Sequence, residues 1–176
     1  MGEALLVRRG SVGTGFPDGW KEQAVGRAWE NITKNNPIML KRMGIWEDGV
    51  NKVNDPSTLP SLTGYGAAFS PDGNYLAVAH SDSPYITIYK RDGDTFTKLP
   101  NPSTLPSGTG YDAAFSPDGN YLAVAHFSSP YVTIYKRDGD TFTKLPDPST
   151  LPSYTGRGVS FSPDGNYLAV AHSRSP

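Results

Sequence analysis

Residues 69–80 of this 176-residue chain read FSPDGNYLAVAH, and the same twelve letters return at 115–126 and 161–172. Inside the stretch, Pro71-Asp72-Gly73 is turn chemistry. Proline presets the first turn position and glycine supplies a positive φ. YGAAFS before the turn and YLAVAH after it then read as two strands of a tight hairpin. Side chains alternate along a strand, so Leu76 and Val78 point one way and Tyr75, Ala77 and Ala79 the other. Both sides are apolar, and both faces of this sheet need cover. YITIYK, β-branched and aromatic, follows as a third strand. Asp92-Gly93 makes a second hairpin turn. TFTKL is the most polar strand, as suits the outermost of four.

The spacing makes this a repeat. Phe69, Phe115 and Phe161 lie 46 residues apart, as do Pro56, Pro102 and Pro148 of the motif PSTLP. A fixed period of this size suits a four-stranded unit. Residues 69–114 and 115–160 differ at nine of 46 positions, which points to duplication with little drift. Two-faced, four-stranded sheets with a polar outer strand pack face to face around an axis. The expected fold class is all-β, a β-propeller of four-stranded antiparallel blades.

FSPDGNYLAVAH followed by ITIYK resembles the WD-repeat family: a strand, an SPDG turn, a strand ending in small residues, and a strand closing on an aromatic. Tyr89 and Tyr135 stand where that family carries tryptophan. The resemblance covers residues 62–176, and more weakly 40–61. It departs at Thr63-Gly64, where the family has Gly-His, and at Ser128 and Arg174, which replace the structural aspartate that Asp82 matches. The family's buried hydrogen-bond tetrad is therefore missing, and the chain is WD-like. Propellers host many functions, so the resemblance implies the fold far more than an activity.

The bulk properties exclude several classes. Net charge is -1 and no Lys/Arg run exceeds two residues, which argues against a nucleic-acid surface. There is no cysteine, hence no disulfide framework. The opening MGEALLVRRG has four consecutive apolar residues, too few for a signal peptide or a membrane span. Location is left open by this, with virion and cytoplasm both compatible. No motif asks for a cofactor.

The blades divide the chain unevenly. Residues 62–107 and 108–153 are complete units, and 154–176 holds only an inner half-blade. Residues 40–61 read as a degenerate outer half: Ile45-Trp46 against Ile88-Tyr89, Asp48-Gly49 against Asp92-Gly93, Val50 and Val53 against Phe96 and Leu99. Three blades are too few for a closed ring, which usually has four to eight. The expectation is completion between copies, with Ile45, Trp46, Val50 and Val53 of one copy meeting Phe161, Leu168 and Val170 of the next. Two copies give six blades and three give nine. Twofold assemblies are commonest, so a homodimer is favoured, with a homotrimer as the alternative.

The differences among copies concentrate at one end of the blades. They fall in the link before the first strand and in the loop after the second, which share a face because strands alternate in direction. Tyr65, Tyr111, Asp112, Tyr154 and Arg157 lie in or beside the first group, Asp82, Phe127 and Arg174 in the second. Loops on a rigid scaffold commonly carry recognition, while neutral drift is the competing explanation. His80, His126 and His172 end the second strands near that face. On separate blades they are too far apart to share an ion with bonds of about 2 Å, so a structural role bonded across blades is expected, and no metal site. Asp112 is the single acid near the axis. The resulting expectation is a non-enzymatic binding propeller presenting a variable face to a surface glycan or protein. A generic protein-interaction scaffold is the alternative, and a propeller hydrolase or lactonase ranks third.

Residues 1–39 do not repeat. Trp20–Ile32 reads as a short helix capped by Asp18, after a Gly-rich arm. This layout of an arm before near-identical blades resembles tail-associated and other virion proteins of phages, which implies a docked arm and an outward, adhesive propeller.

Overall fold

A computed structural model describes residues 41–43 and 50–173, with side chains described from Val53 onward. The suggested helix at Trp20–Ile32 and the residues Ile45, Trp46 and Arg174 lie outside it. All regular structure among the described residues is β. β1 (Lys41–Met43) and β2 (Val50–Lys52) form a two-stranded hairpin. β3 (Gly64–Phe69), β4 (Tyr75–His80), β5 (Ile86–Asp92) and β6 (Thr95–Lys98) form the first blade in that spatial order. β7 (Gly110–Phe115), β8 (Tyr121–His126), β9 (Val132–Asp138) and β10 (Thr141–Lys144) form the second. β11 (Gly156–Phe161) and β12 (Leu168–His172) pair alone. Every pairing is antiparallel.

The turns form as their residues dictate. Gly73, Gly119 and Gly165 sit at φ of 70–72°, the region a glycine enters without steric cost. Each turn is tied by its serine: Ser70 Oγ donates to Asp72 and accepts from Tyr75 N at 2.9 Å. Ser116 and Ser162 repeat this. They are turn residues, as their position before proline suggests.

Face-to-face packing follows the alternation read from the sequence. Tyr75, Ala77, Ala79, Ile86 and Ile88 of blade one pack on Leu122, Val124, Tyr135 and Phe142 of blade two. Ala123, Ala125 and Val132 of blade two pack in turn on Val159, Phe161, Leu168 and Val170. Phe161, Leu168 and Val170, which the sequence reading gave to an interface between copies, are partly buried against blade two within the chain. The uncovered side carries Tyr167, Ala169 and Ala171. Tyr167 is 74% exposed, whereas its counterpart Tyr75 is 7% exposed.

Val53 packs with Leu76, Val78, Tyr89 and Phe96, the place relative to blade one that Leu99 takes relative to blade two. Register also refines the degenerate hairpin. Lys41 pairs with Lys52 and Met43 with Val50, so the strand opposite β2 lies upstream of Ile45-Trp46.

The junctions between blades are repeated group for group. Tyr89 Oη donates to Thr58 O at 2.8 Å, and Tyr135 Oη to Thr104 O at 2.9 Å. Thr109 Oγ1 donates to Ser81 O, and Thr155 Oγ1 to Phe127 O. Tyr85 and Tyr131 hold φ of 67° and 69°, and their carbonyls abut Gly110 and Gly156. A Cβ at either glycine would lie 2.3 or 2.2 Å from that oxygen. At the opposite end, Tyr75 Oη donates to Asp140 at 2.6 Å and Lys90 pairs with Asp140 at 2.8 Å. Arg137 stacks over Tyr75 and reaches Asp72 at 3.3 Å. Burial and the neighbouring Asp140 raise the Tyr75 phenol to about 12.

Candidate functional site

The innermost strands β3, β7 and β11 each carry one irregularity at the same place. Register slips between Gly64 and Gly66, between Gly110 and Asp112, and between Gly156 and Gly158. The extra residue in each is Tyr65, Tyr111 or Arg157. A bulge of this kind bends the strand and re-aims its side chain. Here three aligned bulges bring the three side chains into one row. The Tyr65 and Tyr111 rings lie 5.3 Å apart at 54°. The Arg157 guanidinium carbon lies 4.2 Å from the Tyr111 ring centre. Tyr65 and Arg157 are exposed and Tyr111 is half-buried.

The next position in each strand holds Gly66, Asp112 and Gly158. Gly66 leaves room for the single carboxylate, whereas a side chain at Gly158 would meet it at ordinary contact distance. A Cβ on Gly66 would come within 2.7 Å of Asp112 Cα, and one on Gly158 within 3.6 Å of its Oδ2. Asp112 Oδ1 accepts from Ala113 N at 2.9 Å, and Oδ2 accepts from Val159 N on the neighbouring inner strand at 3.0 Å.

The other variable residues fall around this row without joining it. Asp82 is exposed in the loop after β4, where its carbonyl accepts from Tyr85 N. Phe127 and Tyr154 are exposed on the same end of the blades, Phe127 in the loop after β8 and Tyr154 in the link before β11. That these links and loops share an end is fixed by repeated bonds: Ser81 N to Thr63 O, Phe127 N to Thr109 O and Ser173 N to Thr155 O.

The histidines have a different partner from the one expected. His80 Nε2 meets Thr87 Oγ1 at 3.0 Å, and His126 Nε2 meets Thr133 Oγ1 at 2.9 Å. Each bond stays within one blade, because pairing of the second and third strands puts the threonine on the histidine's own face of the sheet. Burial pushes His80 below its ordinary value and His126 down to about 4. Their Nδ1 atoms have no hydrogen-bond partner. His172 is exposed. Among the described residues no group of three His, Cys, Asp or Glu is placed to hold a metal ion.

The sequence reading named Tyr65, Tyr111, Asp112 and Arg157 among eight scattered positions and missed the bulge that assembles them. The available signal was the 46-residue identity of position, Tyr65, Tyr111 and Arg157, next to a Gly-Asp-Gly series.

No protein-family model matches this chain, and no curated protein does. Solved structures do. The periplasmic gluconolactonase of Pseudomonas aeruginosa is similar with a TM-score of 0.56 and 21% identity, over 78% of this chain and 44% of that one. A putative 6-phosphogluconolactonase from Bacteroides uniformis gives a TM-score of 0.54 and 19% identity, over 76% and 43%. A mitotic checkpoint complex gives 0.54 and 16%, over 70% and 39%. The chain spans less than half the length of these structures. They show a β-propeller-like, WD-type fold. They also overturn the reading of a non-enzymatic binding propeller. Lactonases recur among the neighbours, including a Xanthomonas campestris gluconolactonase, the class that the sequence reading ranked last.

Proposed function

We propose that this chain forms part of a propeller hydrolase that opens a sugar-derived lactone. The observation that carries the reading is the row of bulged residues beside a single carboxylate, Asp112. Tyr65 and Tyr111 offer an aromatic platform on which a pyranose-sized ring can stack. Asp112 lies one residue further along the same inner strands, between two glycines. In this reading Asp112 takes a proton from water as the water oxygen bonds to the lactone carbonyl carbon. The ring C–O bond then breaks, and the proton goes to the departing ring oxygen. The names of the similar structures support a lactone as the substrate class.

The test is ring opening of glucono-δ-lactone by the full chain, followed by pH-stat titration against the spontaneous rate. Asp112→Asn should lower the enzymatic rate about a hundredfold, the usual scale for a lost general base, with the melting temperature measured alongside. A wild-type rate equal to the spontaneous one refutes the reading. So does an Asp112→Asn variant that is folded and fully active.

A further inference from the structure

The lactonase reading assigns no task to Arg157, yet its setting is unusual. The two arginines that stack on tyrosines in this fold differ in one respect. Arg137 lies 4.7 Å from the Tyr75 ring centre and is also paired with Asp72 at 3.3 Å. Arg157 lies 4.2 Å from the Tyr111 ring centre and, among the described residues, pairs with no carboxylate. The nearest acid in the row, Asp112, is turned to the amides of Ala113 and Val159. Arg157 therefore holds an exposed positive charge, oriented by a ring stack, at the edge of the aromatic platform.

Stacking fixes the plane of a guanidinium and leaves its edge N–H groups free. That edge matches a phosphate or carboxylate in bidentate fashion. The position itself is distinctive. The same place holds tyrosine on the other two inner strands, so the third bulge exchanges an aromatic for a cation in an otherwise repeated row. Neighbouring strand β12 adds no acid to compete for it.

We propose that Arg157 reads a negative charge on the substrate, so that the site takes a sugar lactone bearing a phosphate or carboxylate in preference to a neutral one. This inference rests on the lactonase reading for the word lactone. The charge assignment can be tested without turnover.

The experiment is an NMR chemical-shift titration of the full chain with three non-hydrolysable pyranoses: glucose, glucose 6-phosphate and glucuronate. Inorganic phosphate alone is a fourth arm. At least one anionic sugar should bind about tenfold or more tightly than glucose, with shifts at Arg157, Tyr111 and Tyr65. The stronger of the two identifies phosphate or carboxylate as the group read. Arg157→Ala should reduce that affinity to the level of glucose. Arg157→Lys, which keeps the charge without the planar fork, should recover only part of it. Raised salt should weaken the anionic sugars and leave glucose unchanged. Equal binding of all three sugars overturns the proposal, as does an Arg157→Ala variant that keeps the preference. Charge-selective binding by a chain that opens no lactone supports this assignment and refutes the hydrolase reading. Hydrolysis without charge preference does the reverse.

Discussion

Acid should loosen this fold in a window set by its buried histidines. His126 is fully buried, bonded through Nε2 to Thr133 and without a partner at Nδ1. Burial is the main cause that lowers it from 6.5 to about 4, against the opposing backbone of Ser128 and Val132 and the Asp147 carboxylate. The unfolded chain takes up this proton near pH 6.5 and the folded chain only near pH 4. Between those values unfolding binds a proton, so stability falls as pH falls. It is fully present above pH 6.5 and has been lost by pH 4. At about 1.4 kcal/mol per pH unit, the loss at this one site amounts to about 3 kcal/mol. That is a large share of the 5–15 kcal/mol typical of a domain. His80 is lowered for the same reason and adds to the effect in the same direction. Carboxylates act in a lower window. Asp118 and Asp164 are held below 3.8 by their turn serines, and Asp140 by Lys90 and Tyr75. Their contribution is therefore lost only as pH falls through that range. The assay is urea unfolding, followed by intrinsic fluorescence at pH 7.5, 6.5, 5.5 and 4.5. His126→Gln is the comparison: it should be less stable at pH 7.5 but show a shallower decline with acid. Parallel declines in the two proteins would refute the reasoning, as would an NMR titration placing His126 near 6.5.

Three further outcomes test the scaffold and the site. Gly110→Ala should cost about 1–3 kcal/mol in urea unfolding, because its Cβ would press on the Tyr85 carbonyl at 2.3 Å; an unchanged midpoint would show that the junction yields freely. Tyr75→Phe and Asp140→Ala, combined in a double-mutant cycle, should be coupled by about 1 kcal/mol through their 2.6 Å hydrogen bond, and strict additivity would remove that bond from the account. Tyr111→Ala should weaken binding of the pyranose ring about threefold to tenfold, the scale of one aromatic contact, and an unaltered KM in the lactone assay would exclude the platform.

Much of the blade was legible because its signals are local. The Pro-Asp-Gly turn, the period-two alternation of YLAVAH and the polar TFTK strand each specify structure within a few residues. What was illegible depended on distance. Both faces of β12 are apolar, so nothing in LAVAH tells which of Leu168/Val170 or Ala169/Ala171 is covered by blade two. The partner of His126 was assigned across blades because strand register alone decides that Thr133 stands beside it. The register of β1 escaped because Ile45-Trp46 looks more like a strand than Lys41–Met43 does. The site residues were visible as differences between copies, and their convergence was not. A bulge leaves no mark in composition, and its effect on Tyr65, Tyr111 and Arg157 appears only when three strands stand side by side.

The identical joints between blades bear on how such a chain changes over generations. The phenol on each third strand reaches the link 31 residues upstream, and each linking threonine reaches a carbonyl 28 residues upstream. The stability of such an array is close to a sum over neighbours. Copying one 46-residue unit therefore inserts a joint whose two sides already match, with no new complementarity to be found. Unequal recombination between such similar stretches can lengthen or shorten the array in whole units, so the number of blades can change in a single genetic event while each surviving joint keeps its contacts.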